Sequence, residues 1–165
     1  MRRRFVFAAA GAALLAGCGF QLRQAPDFPF RTIAITGDPN SPLANQLRRS
    51  LAADGQVQVL PTGSEVGAAQ VILELPVELR EKVVVGLTAT GQVREFQLRL
   101  RVRFRVGTPG GRELVPSTEL LQQRDISFNE AAVLAKEAEE MLLYRDMQND
   151  IVQQLMRRLA ALPPV

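Results

Sequence analysis

The residues best suited to chemistry form a row. Gln97, Arg99, Arg101, Arg103 and Arg105 alternate with Phe96, Leu98, Leu100, Val102, Phe104 and Val106. A guanidinium presents a planar fork that matches a phosphate or carboxylate, so four arginines at strand spacing can build an anion-binding face, with Arg99 and Arg101 at its centre. The same row also has a structural use. Glu74 and Glu78 lie on the polar side of the preceding strand-like run, and opposite charges across neighbouring strands attract modestly. Five polar positions face only two nearby glutamates, so both uses stay open. Elsewhere the repertoire is narrow. Histidine and tryptophan are absent and Cys18 is the only cysteine. A zinc centre, a Ser-His-Asp triad and a Cys-His dyad are excluded on that count. A carboxylate-only or Ser-Lys mechanism survives, but no local motif points to one; no enzyme, cofactor or metal is expected.

Cys18 has a context of its own. Arg2, Arg3 and Arg4 precede an apolar run from Phe5 to about Leu15, too short for the roughly 20 residues that span a bilayer. A basic start and a short apolar stretch fit a secretory signal peptide over residues 1–17. The run ends in Leu15-Ala16-Gly17-Cys18, which resembles the lipobox at which a lipoprotein signal peptidase cuts before a diacylglycerol-bearing cysteine. A lone exported thiol is a liability, and acylation removes it while supplying an anchor. Gly19 is not the aspartate that often retains lipoproteins at the inner membrane, so an outer-membrane location is expected. Cleavage also alters the charge. The chain has 20 Lys and Arg against 17 Asp and Glu, and three arginines leave with the signal, so the mature chain is formally neutral. A nucleic-acid partner therefore loses its support.

These side chains need elements to place them. Gly19 to Phe30 mixes polar residues with Pro26 and Pro29 and reads as a tether over residues 18–30. Residues 31–165 are then one domain, long enough to hold its own core. Thr32 to Thr36 is β-branched and predicts a strand. Ser41-Pro42 opens a helix with Leu43, Leu47 and Leu51 on one stripe, stopped at Asp54-Gly55. A short strand fits Gln56 to Leu60. Val71, Leu73, Leu75, Val77 and Leu79 alternate with Glu74 and Glu78, and Pro76 inside this run calls for a sheet edge or a bulge. Val93 to Val106 is the clearest half-buried strand, and another is expected from about Ser117 to Asp125. Ser127-Phe128-Asn129-Glu130 matches a capping box. Leu134, Ala138, Met141, Ile151, Leu155 and Leu159 then recur along one helical face, in a helix of about 30 residues or one bent near Gln148-Asn149-Asp150. The expected class is α+β: two helices on one face of a small, mostly antiparallel (mixed) sheet of about four strands.

Several of these segments match a known family in order. Cys18-Gly19-Phe20-Gln21-Leu22-Arg23 resembles the mature start of the LptE outer-membrane lipoproteins. Gly37-Asp38-Pro39-Asn40-Ser41-Pro42-Leu43 resembles their entry into the first helix, and Thr90-Gly91-Gln92 with Glu95-Phe96-Gln97-Leu98 their Gly-Gln…Glu-aromatic strand entry. Ala132 to Met147, with Lys136, Glu139 and Met141, resembles their last helix. The resemblance implies a role in lipopolysaccharide transport: a lipid-anchored protein on the periplasmic side of the outer membrane, within the lumen of the β-barrel LptD, aiding its assembly and contacting lipopolysaccharide. It implies a basic contact from Lys136 and from a residue shortly before the Gly-Gln. Ala89 stands at the latter place, with Arg94 as the nearby replacement. A different lipoprotein that binds a ligand or scaffold through the arginine face is the competing expectation.

Overall fold

The computed structural model describes residues 27–53 and 55–165. The signal peptide, Cys18 and the expected tether as far as residue 26 lie outside them. Phe28 and Phe30, which the sequence places in the tether, are buried with ring centroids 5.5 Å apart, so the core begins before the first strand.

That strand, β1 (Thr32–Gly37), directs Ile33 and Ile35 into the core. Gly37 ends it at a φ of +138°, where an added Cβ would lie 2.6 Å from the Leu75 carbonyl oxygen, so only glycine fits this crossing. Helix α1 (Pro42–Ala53) starts as expected: the Ser41 hydroxyl accepts the Ala44 N–H at 2.9 Å, and the stripe of Leu43, Leu47 and Leu51 is fully buried. Gly55, at φ +68°, turns the chain after it. The short β2 (Gln58–Val59) returns parallel to β1.

Three long strands follow: β3 (Val71–Leu87), β4 (Val93–Gly107) and β5 (Glu113–Ser127). The sheet order is β2-β1-β3-β4-β5, with β1 parallel to β2 and β3 and the last two pairings antiparallel. The sheet thus has five strands rather than about four, and the two-residue β2 lies within the short strand expected from Gln56 to Leu60. Two turns with glycines at positive φ, Gly91 and Gly111, join the long strands. The long final helix, α2 (Val133–Ala160), continues unbroken through Gln148-Asn149-Asp150 for 28 residues, about 42 Å. Both helices cover one face of the sheet, where Leu98, Leu100, Val102 and Phe104 meet Met147, Ile151, Val152 and Leu155. Among the described residues nothing covers the other face.

Three sequence expectations change. Ser127 is not a helix cap: it ends β5, and the Asn129 carboxamide instead accepts the Ala131 N–H at 2.9 Å at a short 3-10 turn (Glu130–Ala132) that leads into α2. The apolar stripe of α2 also shifts. Ile151, Leu155 and Leu159 are buried, but Leu134 and Met141 are 82% and 68% exposed. The line facing the sheet runs instead through Lys136, Glu140, Tyr144, Met147 and Ile151, roughly 100° around the helix from Leu134 and Met141.

The third change concerns β3. Its register against β4 slips by one residue between Glu74 and Val77, a bulge at Pro76. Pro76 also marks the end of pairing with β1, whose last partner is Leu75. The bulge and the sheet edge, alternatives in the sequence, coincide here. One extra residue exchanges the two faces of a strand. Beyond it Glu78, Arg80 and Lys82 stand opposite Val102, Leu100 and Leu98 and face the helices, while Val77, Leu79, Glu81 and Val83 join the arginine row on the open face.

Candidate functional site

The strand β4 holds its arginines on the open face because Leu98 to Val106 on the alternate positions are buried. Their partners come from both neighbours. Glu74 meets Arg105 at 2.6 Å, as the sequence allows. The hydrogen bond and charge of Glu74 raise the affinity of the Arg105 guanidinium for its proton. Glu78, flipped by the bulge, instead accepts a hydrogen bond from the Ser41 hydroxyl. Its place is taken by Glu81 and, from β5, by Glu119. Arg101 donates to Glu119 at 3.0 Å and lies 3.6 Å from Glu81. Arg103 lies 3.5 Å from the same Glu119. Arg99 donates to Gln97 at 2.8 Å and has no carboxylate within ion-pair reach among the described residues. The row is therefore a cross-strand network, in which Arg101 is shared between two acids and Arg99 is the member without one.

Lys136 and Arg94 lie elsewhere, at the end of the sheet that carries the β3–β4 turn. The Lys136 ammonium, on the first turns of α2, donates to Ser127 at 2.9 Å and to Glu139 at 2.8 Å. Ser127 pairs with Glu95, next to Arg94, and the Arg94 carbonyl accepts the Phe128 N–H at 2.8 Å. The first turns of α2 and the start of β4 thus converge. The Arg94 side chain is exposed. Ala89 sits in the Thr88–Gln92 turn beyond them, closed by the Thr88 N–H to the Gln92 carbonyl. The four candidate contacts consequently form two separate pairs: Lys136 with Arg94 at this end, Arg99 with Arg101 on the open face.

Between them the bulge creates a polar layer that the sequence reading missed. Arg80 stacks over the Tyr144 ring at 5.3 Å and donates to the Gln148 carboxamide at 3.1 Å. Gln148 donates in turn to Gln46 of α1, and Gln46 to Asn149. Lys82 pairs with Glu140 at 2.6 Å and lies 4.5 Å over the Phe96 ring, while Arg124 pairs with Asp150 at 2.7 Å. Tyr144 donates its hydroxyl to the Glu81 carbonyl at 2.7 Å, and burial, followed by the Glu140 charge, raises its pKa. The signal for this layer was Pro76. Read as a face switch, it turns Arg80 and Lys82 inward.

Beside this layer a groove lined by Arg80, Lys82, Glu137, Glu140, Met141 and Tyr144 opens to solvent. Its two cations and two acids balance, so it carries no strong preference for an anion. A narrower slot is walled by Phe96 and Phe128, whose rings meet edge to face at 5.4 Å, together with Ile126, Val133 and Lys136. Among the described residues no cluster of three acids or other ligands could hold a metal ion.

Comparison with known proteins supplies a family. A family model described as LptE, lipopolysaccharide-assembly, matches residues 30–159. The LPS-assembly lipoprotein LptE of Photorhabdus laumondii is 34% identical, over 96% of this chain and 87% of its own. The protein of the same name from Yersinia pestis is 30% identical, over 96% and 77%. Among solved structures, a lipoprotein B from Nitrosomonas europaea is 34% identical with a TM-score of 0.73, covering 87% of this chain and 91% of that one. The rare lipoprotein B of Shewanella oneidensis, 23% identical, shares the fold at a TM-score of 0.65 over 79% and 95%. A match across nearly all of the described residues, joined to relatives at this identity and coverage, places the chain in the LptE lipopolysaccharide-assembly family.

Proposed function

We propose that this protein is an outer-membrane lipoprotein, anchored through acylated Cys18, which partners and partly fills an LptD-like β-barrel during lipopolysaccharide delivery to the cell surface. The role is non-catalytic: it fills, braces and touches the passing lipid. The observation that carries the reading is the family match over residues 30–159. The distribution of surface supports it. Among the described residues one whole face of the sheet has no covering layer, and Leu79, Val83 and Leu121 lie among its charges. Leu134, Met141 and Leu142 are exposed on the outer side of α2. Apolar side chains on so many sides of a small domain fit a protein that is surrounded by a partner. Ionic pairing keeps the open face near neutral, which suits burial against a barrel wall better than free anion capture.

Within this reading, Lys136 and Arg94 form the basic lipopolysaccharide contact, and Arg99 supplies a second, weaker one on the open face. Arg101 serves the sheet. Depleting the protein tests the role: surface lipopolysaccharide should fall, and the cell surface should lose its barrier to bulky hydrophobic compounds. An unaltered surface after depletion would instead favour a lipoprotein with some other ligand.

A further inference from the structure

The sheet is broader at one end than at the other. β1 pairs with β3 only from Val71 to Leu75, and no strand among the described residues pairs with the same side of β3 from Val77 to Leu87. Eleven residues of β3 are therefore a second long sheet edge, opposite the edge formed by β5. Unpaired edges template further strands, and proteins usually blunt them with charge or proline. The β5 edge follows that rule: Pro116, Glu119, Arg124 and Asp125 lie along it. The β3 edge follows it only through Glu78, Arg80, Glu81 and Lys82, and its pairing with β4 slips again between Val84 and Leu87. After Lys82 it reads Val83-Val84-Val85-Gly86-Leu87, uncharged, with Val85 47% and Leu87 59% exposed.

We infer that this edge is a docking strand, completed by an extended segment of the partner barrel protein that adds beside β3. The inference rests on the barrel reading above. The wall strands of a closed barrel are already paired on both sides, so the added segment comes from a luminal loop or a terminal stretch rather than from the wall. Its chemistry follows from the faces of β3. Leu79 and Val83 stand on the open face, so the incoming strand has apolar residues there at every second position. On the helix face it meets Lys82 and Arg80, whose guanidinium is held among the described residues by Gln148 and the Tyr144 ring. A carboxylate on that face completes Arg80. A second copy of this chain fits less well, because antiparallel pairing over the whole edge sets Lys82 against Lys82.

Hydrogen exchange of the lipoprotein, in the complex purified from outer membranes and by itself, tests the edge. Amides in peptides covering residues 79–87 should exchange at least ~10-fold more slowly in the complex, with a smaller change over residues 113–127. Val83→Lys with Val85→Lys, both at exposed sites, should cut the yield of complex about tenfold while leaving the melting transition of the lipoprotein in place. Unchanged exchange over residues 79–87 in an intact complex overturns the inference alone, as does full complex yield from the double variant. So does protection that appears in the lipoprotein by itself as its concentration rises, which assigns the edge to a second copy. Failure to recover any barrel protein overturns the functional reading and this inference together.

Discussion

Replacing Arg101 by Gln separates the two uses of the arginine row. Arg101 is shared between Glu119 at 3.0 Å and Glu81 at 3.6 Å, and all three side chains are about one-third exposed. Cross-strand ion pairs contribute roughly 0.2–1 kcal/mol each, and solvent screening at this exposure keeps them in the lower part of that range. The expected loss is about 0.5–1 kcal/mol, which for a domain of this size lowers Tm by roughly 2–5 °C. Were the Arg101 fork to hold a lipid phosphate, its removal would cost a charge-assisted hydrogen bond of about 1.5–3 kcal/mol, or roughly 10- to 100-fold in affinity. Thermal unfolding and titration with lipopolysaccharide, both at one fixed ionic strength because exposed charges are screened, measure the two terms. Arg101→Gln should melt earlier and bind within about twofold of the parent, since its effect resides in the sheet. Arg94→Gln with Lys136→Gln should show the reverse, with stability changed by less than about 0.5 kcal/mol and affinity reduced about tenfold. A tenfold affinity loss in Arg101→Gln with no change in Tm refutes the cross-strand assignment.

Three further outcomes follow from the fold and the anchor. Leu100 is fully buried between β4 and the helices, so Leu100→Ala should cost about 2–5 kcal/mol, read by denaturant unfolding. The Tyr144 hydroxyl is held above its usual pKa of 10.0, mainly by burial, so the fold favours its protonated form. Its contribution is complete below pH 10 and declines as pH rises through the raised value; Tyr144→Phe should remove about 1 kcal/mol and flatten that alkaline decline. Cys18→Ser should block labelling by radioactive palmitate and leave uncleaved precursor, visible as a larger band on a gel.

Local signals gave the helix start at Ser41-Pro42, the stop at Gly55 and the inward row of β4, because each depends on residues within a turn or one strand. What escaped depended on the third dimension. The alternation Val71-Leu73-Leu75 continues in sequence through Val77 and Leu79, yet one residue added at Pro76 turns the later positions over, and periodicity alone does not show such a slip. Glu119 was not matched to Arg101 and Arg103 because the pairing register of β4 with β5 follows from the turn at Thr108–Arg112, not from composition. The capping box pointed to Ser127, but β5 runs through that residue, and the cap falls to Asn129 of the following turn. On α2, Leu134 and Met141 share a helical face with Leu159 by spacing alone. The helix crosses the sheet, however, and in its second half it also packs beside α1, so its buried side rotates along its length. Of the candidate contacts, all four residues were visible as cations, but their division into two pairs required the register.

The most direct test of the account is affinity purification of the acylated protein from outer membranes, with identification of whatever remains bound. The account predicts a stable complex, at one copy each, with a single large β-barrel protein that survives detergent extraction. Recovery of the lipoprotein alone, from membranes in which it is present at normal abundance, would contradict it.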